Sequence, residues 1–324
     1  MTRDIAQSVY FSAKALRKDL NWGVIVQGLK VAELDDPQMR QDLYDLWIAE
    51  GVIVFENIAG VPTQLALSRV FGPLRGHPAR ESISDTSGEL MTVDFNPETG
   101  WLMDVDGEKR GTWLPWHSDL IYVDKINHGG ILRPIKIPSK WGDTGFVDKI
   151  SAYERLPDDI KAQIEGLHVS YKYDMDLSRI KFGKNYDAQV LRHSKATASI
   201  QSRLDDFPAV LHPMVYQQPE TGRKVLNVSS WFACGIYEMP GAEGDALLEQ
   251  VVQCAVDEDY AYYHAWRGDE MVLWDNWRML HCATGTPADE TRLMERTTIG
   301  GDYGLGRIEP GTGSARDPAD YIQV

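Results

Sequence analysis

The sequence contains few cysteines and no long apolar run, and these absences exclude several classes of protein. The three cysteines among the 324 residues are widely spaced and include no Cys-x-x-Cys pair. This pattern argues against a disulfide framework or a structural zinc site and fits a reducing cytoplasm. No segment approaches the roughly 18 consecutive apolar residues of a membrane span, and residues 1–20 lack the apolar core of a signal peptide. We therefore expect a cytoplasmic protein with no membrane partner.

Positive charge is also in short supply. The chain has 33 Lys and Arg residues against 48 Asp and Glu residues, which gives a formal net charge of −15. Such a chain repels the phosphate backbone of a nucleic acid, and no run of basic residues forms a local exception. The sequence also lacks the Gly-x-Ser-x-Gly motif of serine hydrolases and the Lys-Ser/Thr pair of a phosphate-binding loop. A small molecule is the partner that these absences leave.

What the sequence does contain is a series of short β-branched and aromatic segments with turn signals between them. They predict strands at 23–29, 51–56, 130–137, 144–147, 212–217, 224–228, 260–266, 270–274, 279–283 and 295–299. Because few of these segments alternate with helices, they favour an antiparallel sandwich or barrel with helices on the outside. The fold class is therefore mainly β with flanking helices.

Helices are predicted where apolar residues recur at helical spacing, at 36–50, 63–71, 151–164 and 243–256. Asp36-Pro37 supplies a cap and a first-turn proline, and Pro157 must divide the third helix or mark its boundary. Residues 72–115 are loop-like and polar. Residues 172–208 are also irregular, which in a compact chain is typical of a lid or binding insert. We expect one domain over 1–324, with a variable insert at about 172–208 and a tail at about 307–324.

One short motif has the spacing of metal ligands. His117 and Asp119, in Trp116-His117-Ser118-Asp119, are two residues apart, and in an extended segment their side chains project from the same face. His281, in another strand-like segment, is the best candidate for a third ligand. Two histidines and one carboxylate on one face of a metal leave the opposite face open, as in non-haem Fe(II) oxygenases. Taken alone, the His-x-Asp motif is common by chance.

Two arginines follow His281 at a spacing that would place them on one face of an extended segment. Arg292 lies 11 positions after His281 and Arg296 lies 4 beyond that, so both side chains point to the same face of an extended strand. A buried guanidinium needs a partner, and its planar fork suits a carboxylate. For Arg296, an ion pair with Glu290 or Glu295 is the alternative to a binding role.

With these motifs in place, residues 20–305 resemble the taurine dioxygenase family of Fe(II)/2-oxoglutarate oxygenases, which includes the 2,4-dichlorophenoxyacetate dioxygenases. The segments that carry the resemblance are Trp116-His117-Ser118-Asp119, Gly142-Asp143-Thr144-Gly145-Phe146, Trp274-Asp275-Asn276 leading to His281, and Arg292 to Thr297. The resemblance implies a double-stranded β-helix, which is a jelly roll of the cupin type. It also implies that Fe(II), 2-oxoglutarate and O2 take part in the reaction.

The resemblance further implies roles for single residues. His117, Asp119 and His281 become the iron ligands. Thr144 and Arg292 bind the distal carboxylate of 2-oxoglutarate.

The primary substrate has its own set of candidate residues. Arg296 reaches the anionic group of the substrate or helps with 2-oxoglutarate, and His77 corresponds to a substrate-contacting histidine of the family. Trp116 and Tyr122, near the metal motif, are candidates to pack an apolar or aromatic body. We expect a dioxygenase that hydroxylates a C–H bond of a small, acidic organic molecule and releases succinate and CO2. We also expect a homo-oligomer, either a dimer or a tetramer.

Three alternatives stay open at this point. One is a non-catalytic barrel with a decayed site, although every expected iron and 2-oxoglutarate residue is present. The same cofactor chemistry can act on a neutral biosynthetic intermediate, and it can end in desaturation rather than hydroxylation. A metal-dependent hydrolase can also use two histidines and an aspartate around zinc, although it has no need for Thr144 and Arg292.

Overall fold

The computed structural model describes residues 5–76, 88–184, 186–202 and 204–314. The strands within these ranges are β1 Ser12–Ala15, β2 Val24–Gln27, β3 Val52–Glu56, β4 Leu90–Phe95, β5 Leu102–Val105, β6 Glu108–Gly111, β7 Leu114–His117, β8 Gly129–Lys136, β9 Thr144–Asp148, β10 His168–Tyr171, β11 Ala188–Arg192, β12 Val210–Pro213, β13 Val215–Gln217, β14 Lys224–Leu226, β15 Ala233–Ile236, β16 Tyr262–His264, β17 Glu270–Asp275, β18 Met279–Ala283, β19 Thr286–Pro287, β20 Arg292–Ile299 and β21 Arg307–Ile308. The α-helices are α1 Pro37–Glu50, α2 Val61–Phe71, α3 Lys149–Arg155, α4 Asp158–Ile164, α5 Lys195–Gln201 and α6 Ala242–Ala255. None of the helices in these ranges is long and apolar enough to cross a membrane.

The largest sheet has seven strands in the order β1-β2-β3-β17-β8-β20-β4. All neighbours pair antiparallel except β2 and β3, which are parallel. Its central strands are buried on both faces: in β17, Val272 and Trp274 belong to one apolar cluster, whereas Met271 and Leu273 belong to another. This two-sided burial explains why the central strands have uninterrupted apolar sequences.

A second sheet, in the order β16-β9-β18-β7, packs against the inner face of the first. Phe146 of β9 and Met279 of β18 share an apolar cluster with Trp274 and with residues of β3, β8 and β20. Two sheets joined through such a cluster form a jelly roll, here a double-stranded β-helix. The strands of the second sheet carry the predicted site residues His117, Thr144 and His281.

Helices α1 and α2 cover the outer face of the large sheet. Their buried residues, among them Trp47 and Phe71, share one apolar cluster with the outward-facing residues of β3 and β17. The carboxylate of Asp36 caps α1 by accepting the N–H groups of Gln38 and Met39 at 2.8 and 3.2 Å. Pro37 occupies the first turn, as predicted.

Two predictions of irregular structure were wrong. Strands β4, β5 and β6 lie within residues 72–115, and β11 lies within the insert at 172–208. β11 pairs with β5, so the insert joins a four-stranded sheet in the order β11-β5-β6-β19. These strands were missed because they are short, and β6 has two exposed, charged residues where an apolar alternation was sought.

Other local predictions agree with the structure. Pro157 separates α3 from α4, and the Pro219 to Gly222 turn joins β13 to β14 in an antiparallel hairpin. In the tail, β21 pairs with β12 and so attaches residues 307–308 to the body of the chain. Residues 315–324 of the expected tail lie outside the described ranges.

Candidate metal centre

Three potential metal ligands lie together at the junction of β7 and β18. In the antiparallel pairing of these strands, His117 lies opposite His281, and Asp119 follows β7 by two residues. The two imidazole rings have centroids 4.2 Å apart. One ligand atom from each of His117, Asp119 and His281 lies within 4.8 Å of the others, and all three residues are buried. The structure thus brings together the three residues that the sequence singled out.

His117, the last residue of β7, has the orientation and the charge state that a metal ligand requires. Nδ1–H of His117 donates to the carbonyl oxygen of Pro115 at 2.7 Å, which leaves Nε2 directed at the neighbouring ligands. Burial, together with the nearby His281, lowers the pKa of His117 to about 3. The imidazole is therefore neutral at physiological pH, as coordination requires.

Asp119 has a charged partner inside the protein. Arg296 donates to both carboxylate oxygens, at 3.2 Å from Nη1 and 2.5 Å from Nη2. Burial by itself raises the pKa of Asp119, but the Arg296 guanidinium and the two histidines hold the pKa well below its usual value. The carboxylate is thus ionised and fixed in orientation by a bidentate contact.

The partner of Arg296 differs from the acids considered in the sequence. Glu295 pairs with Arg133, and the Glu290 carboxylate accepts from the main-chain N–H of Ser139 at 2.7 Å. An ion pair was therefore correctly considered, but Glu290 and Glu295 were the wrong partners. Glu295 adjoins Arg296 on β20, so the two side chains point to opposite faces of the strand. Asp119 comes from a distant segment of the chain and contacts Arg296 inside the fold.

Asn276 was missed by the sequence reasoning and holds Asp119 in place. Its Oδ1 accepts from the main-chain N–H of Asp119 at 2.7 Å, and its Nδ2 donates to the carbonyl oxygen of Asp119 at 2.9 Å. Asn276 is fully buried and stands five residues before His281. One turn therefore both fixes Asp119 and leads into the strand of His281. The available signal was the polar pair Asp275-Asn276 inside an aromatic segment.

Arg292 of β20 and Thr144 of β9 are two further buried polar residues that the sequence singled out. Arg292 is 5% exposed, and its Nη2 donates to the carbonyl oxygen of Gly142 at 3.3 Å. Burial lowers the pKa of Arg292 to about 10, and the carboxylate of Asp143 opposes this shift. No described carboxylate lies within ion-pair distance of its guanidinium. The hydroxyl of Thr144, which is also buried, accepts from Nε1 of Trp266 at 3.2 Å. A buried cation of this kind is suited to binding a carboxylate from outside the chain.

A cavity of about 480 Å³ opens beside the metal ligands. His117, Asp119 and Arg296 form part of its wall, and Tyr122, a candidate substrate contact from the sequence, also lines it. The aromatic residues of the wall are Trp101, Tyr122, Tyr173, Trp231 and Phe232. The rings of Tyr122 and Tyr173 are 4.4 Å apart, and those of Tyr122 and Phe232 are 4.9 Å apart.

Trp116, another predicted substrate residue, is not among the described residues that line this cavity. The ring of Trp116 packs 5.9 Å from that of Tyr263 and lines separate, smaller cavities. This differs from the expectation for Trp116, because β7 points consecutive side chains to opposite faces and His117 takes the inner one. His77 lies outside the described residues.

The insert contributes to the same cavity, a role that the sequence left open. Tyr173, Met175 and the segment from Ser194 to Thr197 form part of its wall. Lys195 in this segment is exposed and makes no ion pair with any residue that the structure describes. Three residues earlier, Arg192 anchors the end of β11 by donating to the carbonyl oxygens of Gly100 and Pro97 at 2.9 and 2.7 Å.

Three non-glycine residues on the cavity wall have a left-handed backbone. They are Thr112 with φ 50°, Leu120 with φ 57° and Phe232 with φ 70°. Such conformations cost about 1 to 3 kcal/mol each and persist only where surrounding contacts enforce them. The backbone of the cavity wall is therefore held in a shape that costs conformational free energy.

A jelly roll with two histidines and one carboxylate on its inner face is the architecture of a non-haem iron oxygenase. Comparison with known proteins identifies the group to which the chain belongs. The family model described as "Taurine catabolism dioxygenase TauD, TfdA family" matches residues 12–298. The chain belongs to this family, and it is a 2-oxoglutarate-dependent dioxygenase that uses Fe(II) and O2.

Similar proteins agree with this assignment. The (S)-phenoxypropionate/alpha-ketoglutarate-dioxygenase of Sphingobium herbicidovorans is 32% identical over 285 residues, covering 88% of this chain and 93% of that protein. The alpha-ketoglutarate-dependent 2,4-dichlorophenoxyacetate dioxygenase of Cupriavidus pinatubonensis is 27% identical over 245 residues, covering 72% and 79%.

Solved structures confirm the fold. A taurine dioxygenase from Burkholderia xenovorans superposes with a TM-score of 0.70 at 23% identity, covering 97% of this chain and 99% of that chain. The complex of AAD-2 with Mn(II) and N-oxalylglycine gives a TM-score of 0.67 at 22% identity, covering 90% and 98%. The predicted fold class, a mainly β jelly roll with flanking helices, is therefore confirmed.

Proposed function

We propose that the chain hydroxylates a C–H bond of a small organic acid and releases succinate and CO2. The observation that carries this proposal is the cavity of about 480 Å³, whose wall combines two potential metal ligands with two cationic side chains, Arg296 and Lys195. A molecule in this cavity lies beside the metal ligands, and an acid group on that molecule has a cation to pair with.

We propose His117, Asp119 and His281 as the ligands of Fe(II). Their ligand atoms converge within 4.8 Å, His117 is neutral, and Asp119 is ionised. Three protein ligands on one face leave positions for 2-oxoglutarate and O2. When bound, Fe(II) and 2-oxoglutarate supply an oxidant that can remove a hydrogen atom from an unactivated carbon.

For 2-oxoglutarate, we propose a charge-assisted contact from Arg292 and a hydrogen bond from Thr144 to the distal carboxylate. Arg292 supports this role because it is a buried cation whose described hydrogen bond goes to a neutral carbonyl oxygen. Binding a dianion there would complete the set of acceptors around the guanidinium.

For the primary substrate, we propose a molecule that combines an aromatic or apolar body with an acid group. The two relatives described above are named for phenoxypropionate and 2,4-dichlorophenoxyacetate, which have this composition. Tyr122, with the aromatic wall, would pack the body, and Arg296 and Lys195 would pair with the acid. His77 stays a candidate contact.

A second candidate is a neutral substrate, with hydroxylation or desaturation as the outcome. It is favoured by one observation: Arg296 already makes two hydrogen bonds to Asp119. In this case Arg296 would serve Asp119 alone.

The cofactor part of the proposal is tested by succinate and CO2 formation from 2-oxoglutarate under air with added Fe(II). We expect turnover in the parent enzyme and a loss of at least 100-fold in Asp119→Ala, since a lost ligand weakens the metal site. Full iron-dependent turnover in Asp119→Ala would show that the ligand assignment is wrong. Product release without 2-oxoglutarate consumption would instead favour a metal-dependent hydrolase.

The substrate part is tested by anaerobic binding to the Fe(II)/2-oxoglutarate complex, followed through its metal-to-ligand absorption band. The probes are phenoxyacetate, (S)-2-phenoxypropionate and an alkyl sulfate, each beside a neutral amide or alcohol of the same body. We expect the acids to perturb the band and Arg296→Ala to weaken their binding. Perturbation by the neutral compounds alone, unchanged in Arg296→Ala, would establish the second candidate.

The proposal also covers the domain organisation, the cellular location and the oligomeric state. We propose that residues 1–324 act as one dioxygenase domain, that the enzyme works in the cytoplasm, and that it forms a homodimer or homotetramer. Light scattering coupled to size-exclusion chromatography tests the oligomeric state directly.

A further inference from the structure

Lys149 is a fully buried lysine that the proposed function does not use. It is the first residue of α3, directly after β9, and its exposed fraction is 0%. Its ammonium group donates to the hydroxyl oxygen of Ser118 at 3.1 Å and to Oδ1 of Asn227 at 3.2 Å. Both acceptors are neutral. Within the described part of the chain, this cation therefore has no direct ion pair.

The nearest acids have other partners. Asp148 and Asp275 attract Lys149 through space, but Asp148 is paired with Arg278 at 2.6 Å. Asp275 accepts from the main-chain N–H groups of Trp277 and Arg278 at 2.9 and 3.2 Å. Burying an ammonium group without a direct counter-ion is costly, and a methionine of similar volume would avoid this cost. We therefore expect the lysine at this position to have a specific role in the surrounding structure.

The contacts of Lys149 join the segments that carry all three proposed iron ligands. Ser118, which accepts from its ammonium group, lies between His117 and Asp119. The main-chain N–H of Lys149 donates to the carbonyl oxygen of Arg278 at 3.0 Å, and Arg278 precedes His281 by three residues.

Asn227 fixes the other end of the contact. Its Nδ2 donates to the carbonyl oxygen of Pro213 at 3.2 Å, and its main-chain N–H donates to the carbonyl oxygen of Met214 at 2.8 Å. These bonds orient Oδ1 toward Lys149. The ammonium group is thus held between a rigid acceptor and the Ser118 hydroxyl.

We propose that Lys149 is a positioning residue that holds the His117-Ser118-Asp119 segment against the turn leading to His281, and thereby sets the affinity of the site for its metal. This inference rests on the proposed function, because it takes these three residues as the metal ligands. Polar groups behind metal ligands commonly act in this way by fixing the orientation of the ligands.

The test measures the affinity of the purified chain for Mn(II) alone by anaerobic titration calorimetry, in Lys149→Met, Ser118→Ala and the double variant. Loss of a group that orients metal ligands typically weakens metal binding by about tenfold to a hundredfold, and we expect a loss in this range for each single variant. If Lys149 acts through Ser118, the double variant should lose no more than the weaker-binding single variant. Additive losses would overturn the route through Ser118.

A matched control separates positioning from general destabilisation. Ser68 is a buried residue of α2, on the outer face of the large sheet, and its hydroxyl bonds that of Thr297 at 2.7 Å. Ser68→Ala should lower the melting temperature yet leave Mn(II) affinity within twofold of the parent. Ser118→Ala keeps the lysine and removes both contacts of the Ser118 hydroxyl, the one with the Lys149 ammonium group and the donation to the carbonyl oxygen of Met279 at 3.4 Å. The test therefore does not depend on the folding of Lys149→Met.

A spectroscopic signature completes the test. With Co(II) in place of Mn(II), a displaced ligand should change the visible absorption bands of Lys149→Met and Ser118→Ala but not those of Ser68→Ala. Folded Lys149→Met with parental Mn(II) affinity and an unchanged Co(II) spectrum would overturn the inference. If the parent itself neither binds Mn(II) nor forms succinate, the proposed function fails, which is a different result.

Discussion

Arg292 and Arg296 are four residues apart on β20, yet their guanidinium groups have different partners. Arg296 is neutralised by Asp119, whereas the described hydrogen bond of Arg292 goes to the carbonyl oxygen of Gly142. Both are buried. Since an unpaired buried charge is costly, Arg292 is suited to the proposed binding of a ligand that brings its own negative charge.

Replacing Arg292 should therefore affect 2-oxoglutarate more than any other reactant. Charged hydrogen bonds contribute roughly 1.5 to 3 kcal/mol each, so Arg292→Ala should raise the 2-oxoglutarate concentration for half-maximal succinate formation at least tenfold. Arg292→Lys keeps the charge without the planar fork, so its 2-oxoglutarate requirement should lie between those of the parent and Arg292→Ala. Arg69→Ala, which removes an exposed arginine paired with Glu89, is the control. An unchanged 2-oxoglutarate requirement would contradict the assignment.

Lys149 makes a prediction about pH. Burial lowers the pKa of Lys149 from 10.5 to about 7. Between these values the unfolded chain holds a proton that the folded chain has released, so this group makes the free energy of unfolding rise with pH. Relative to Lys149→Met, the metal-free parent should gain a few kcal/mol between pH 7 and 10. Urea unfolding at several pH values measures this difference, and a constant difference would contradict the prediction.

Sequence spacing was sufficient to place the proposed ligands His117 and Asp119 together but did not predict their partners. His117 and Asp119 are neighbours on one segment, so their common face follows from local geometry. The pairing of Asp119 with Arg296 spans 177 positions, and only the assembled sheets bring the two together. The amide of Asn276 was missed for the same reason, since its contacts with Asp119 also cross the fold.

At the scale of elements, the strands with strong apolar character were predicted, whereas β4, which lines part of the cavity, and β5, β6 and β11 were not. β3, β17 and β18 have apolar runs because both of their faces are buried. β5, β6 and β11 are three of the four strands of a small sheet and mix apolar with polar residues. Their stability comes from pairing between distant segments, which leaves no periodic signal in a single strand.

The insert makes a prediction of its own through Lys195. If this lysine pairs with the acid group of the substrate, Lys195→Met should raise KM for an acidic substrate about tenfold and leave kcat within a few-fold. Lys184→Met is the matched control, because Lys184 belongs to the same insert but lines a different cavity. Steady-state kinetics with an acid from the binding screen measures both. Equal effects of the two substitutions would remove Lys195 from the proposed site.

At the scale of the whole molecule, the site joins parts of the chain that are far apart in sequence. The three proposed ligands come from β7, the segment after it and β18, and the 2-oxoglutarate residues come from β9 and β20. All of these elements belong to the two facing sheets. Ligands that bind across them should therefore stabilise the native fold as a unit, because they bind the folded chain and not the unfolded one.

This coupling predicts stepwise thermal stabilisation. Under anaerobic conditions, saturation with Mn(II) at 100 times its dissociation constant should add about 2.7 kcal/mol, which corresponds to a rise of several degrees in melting temperature. Adding 2-oxoglutarate should raise it again. His281→Ala should lose both increments, whereas Arg292→Ala should keep the Mn(II) increment and lose the second. Differential scanning calorimetry of the parent and the two variants measures both increments in melting temperature. A full Mn(II) increment in His281→Ala would show that the metal binds elsewhere, and a full second increment in Arg292→Ala would place 2-oxoglutarate away from β20.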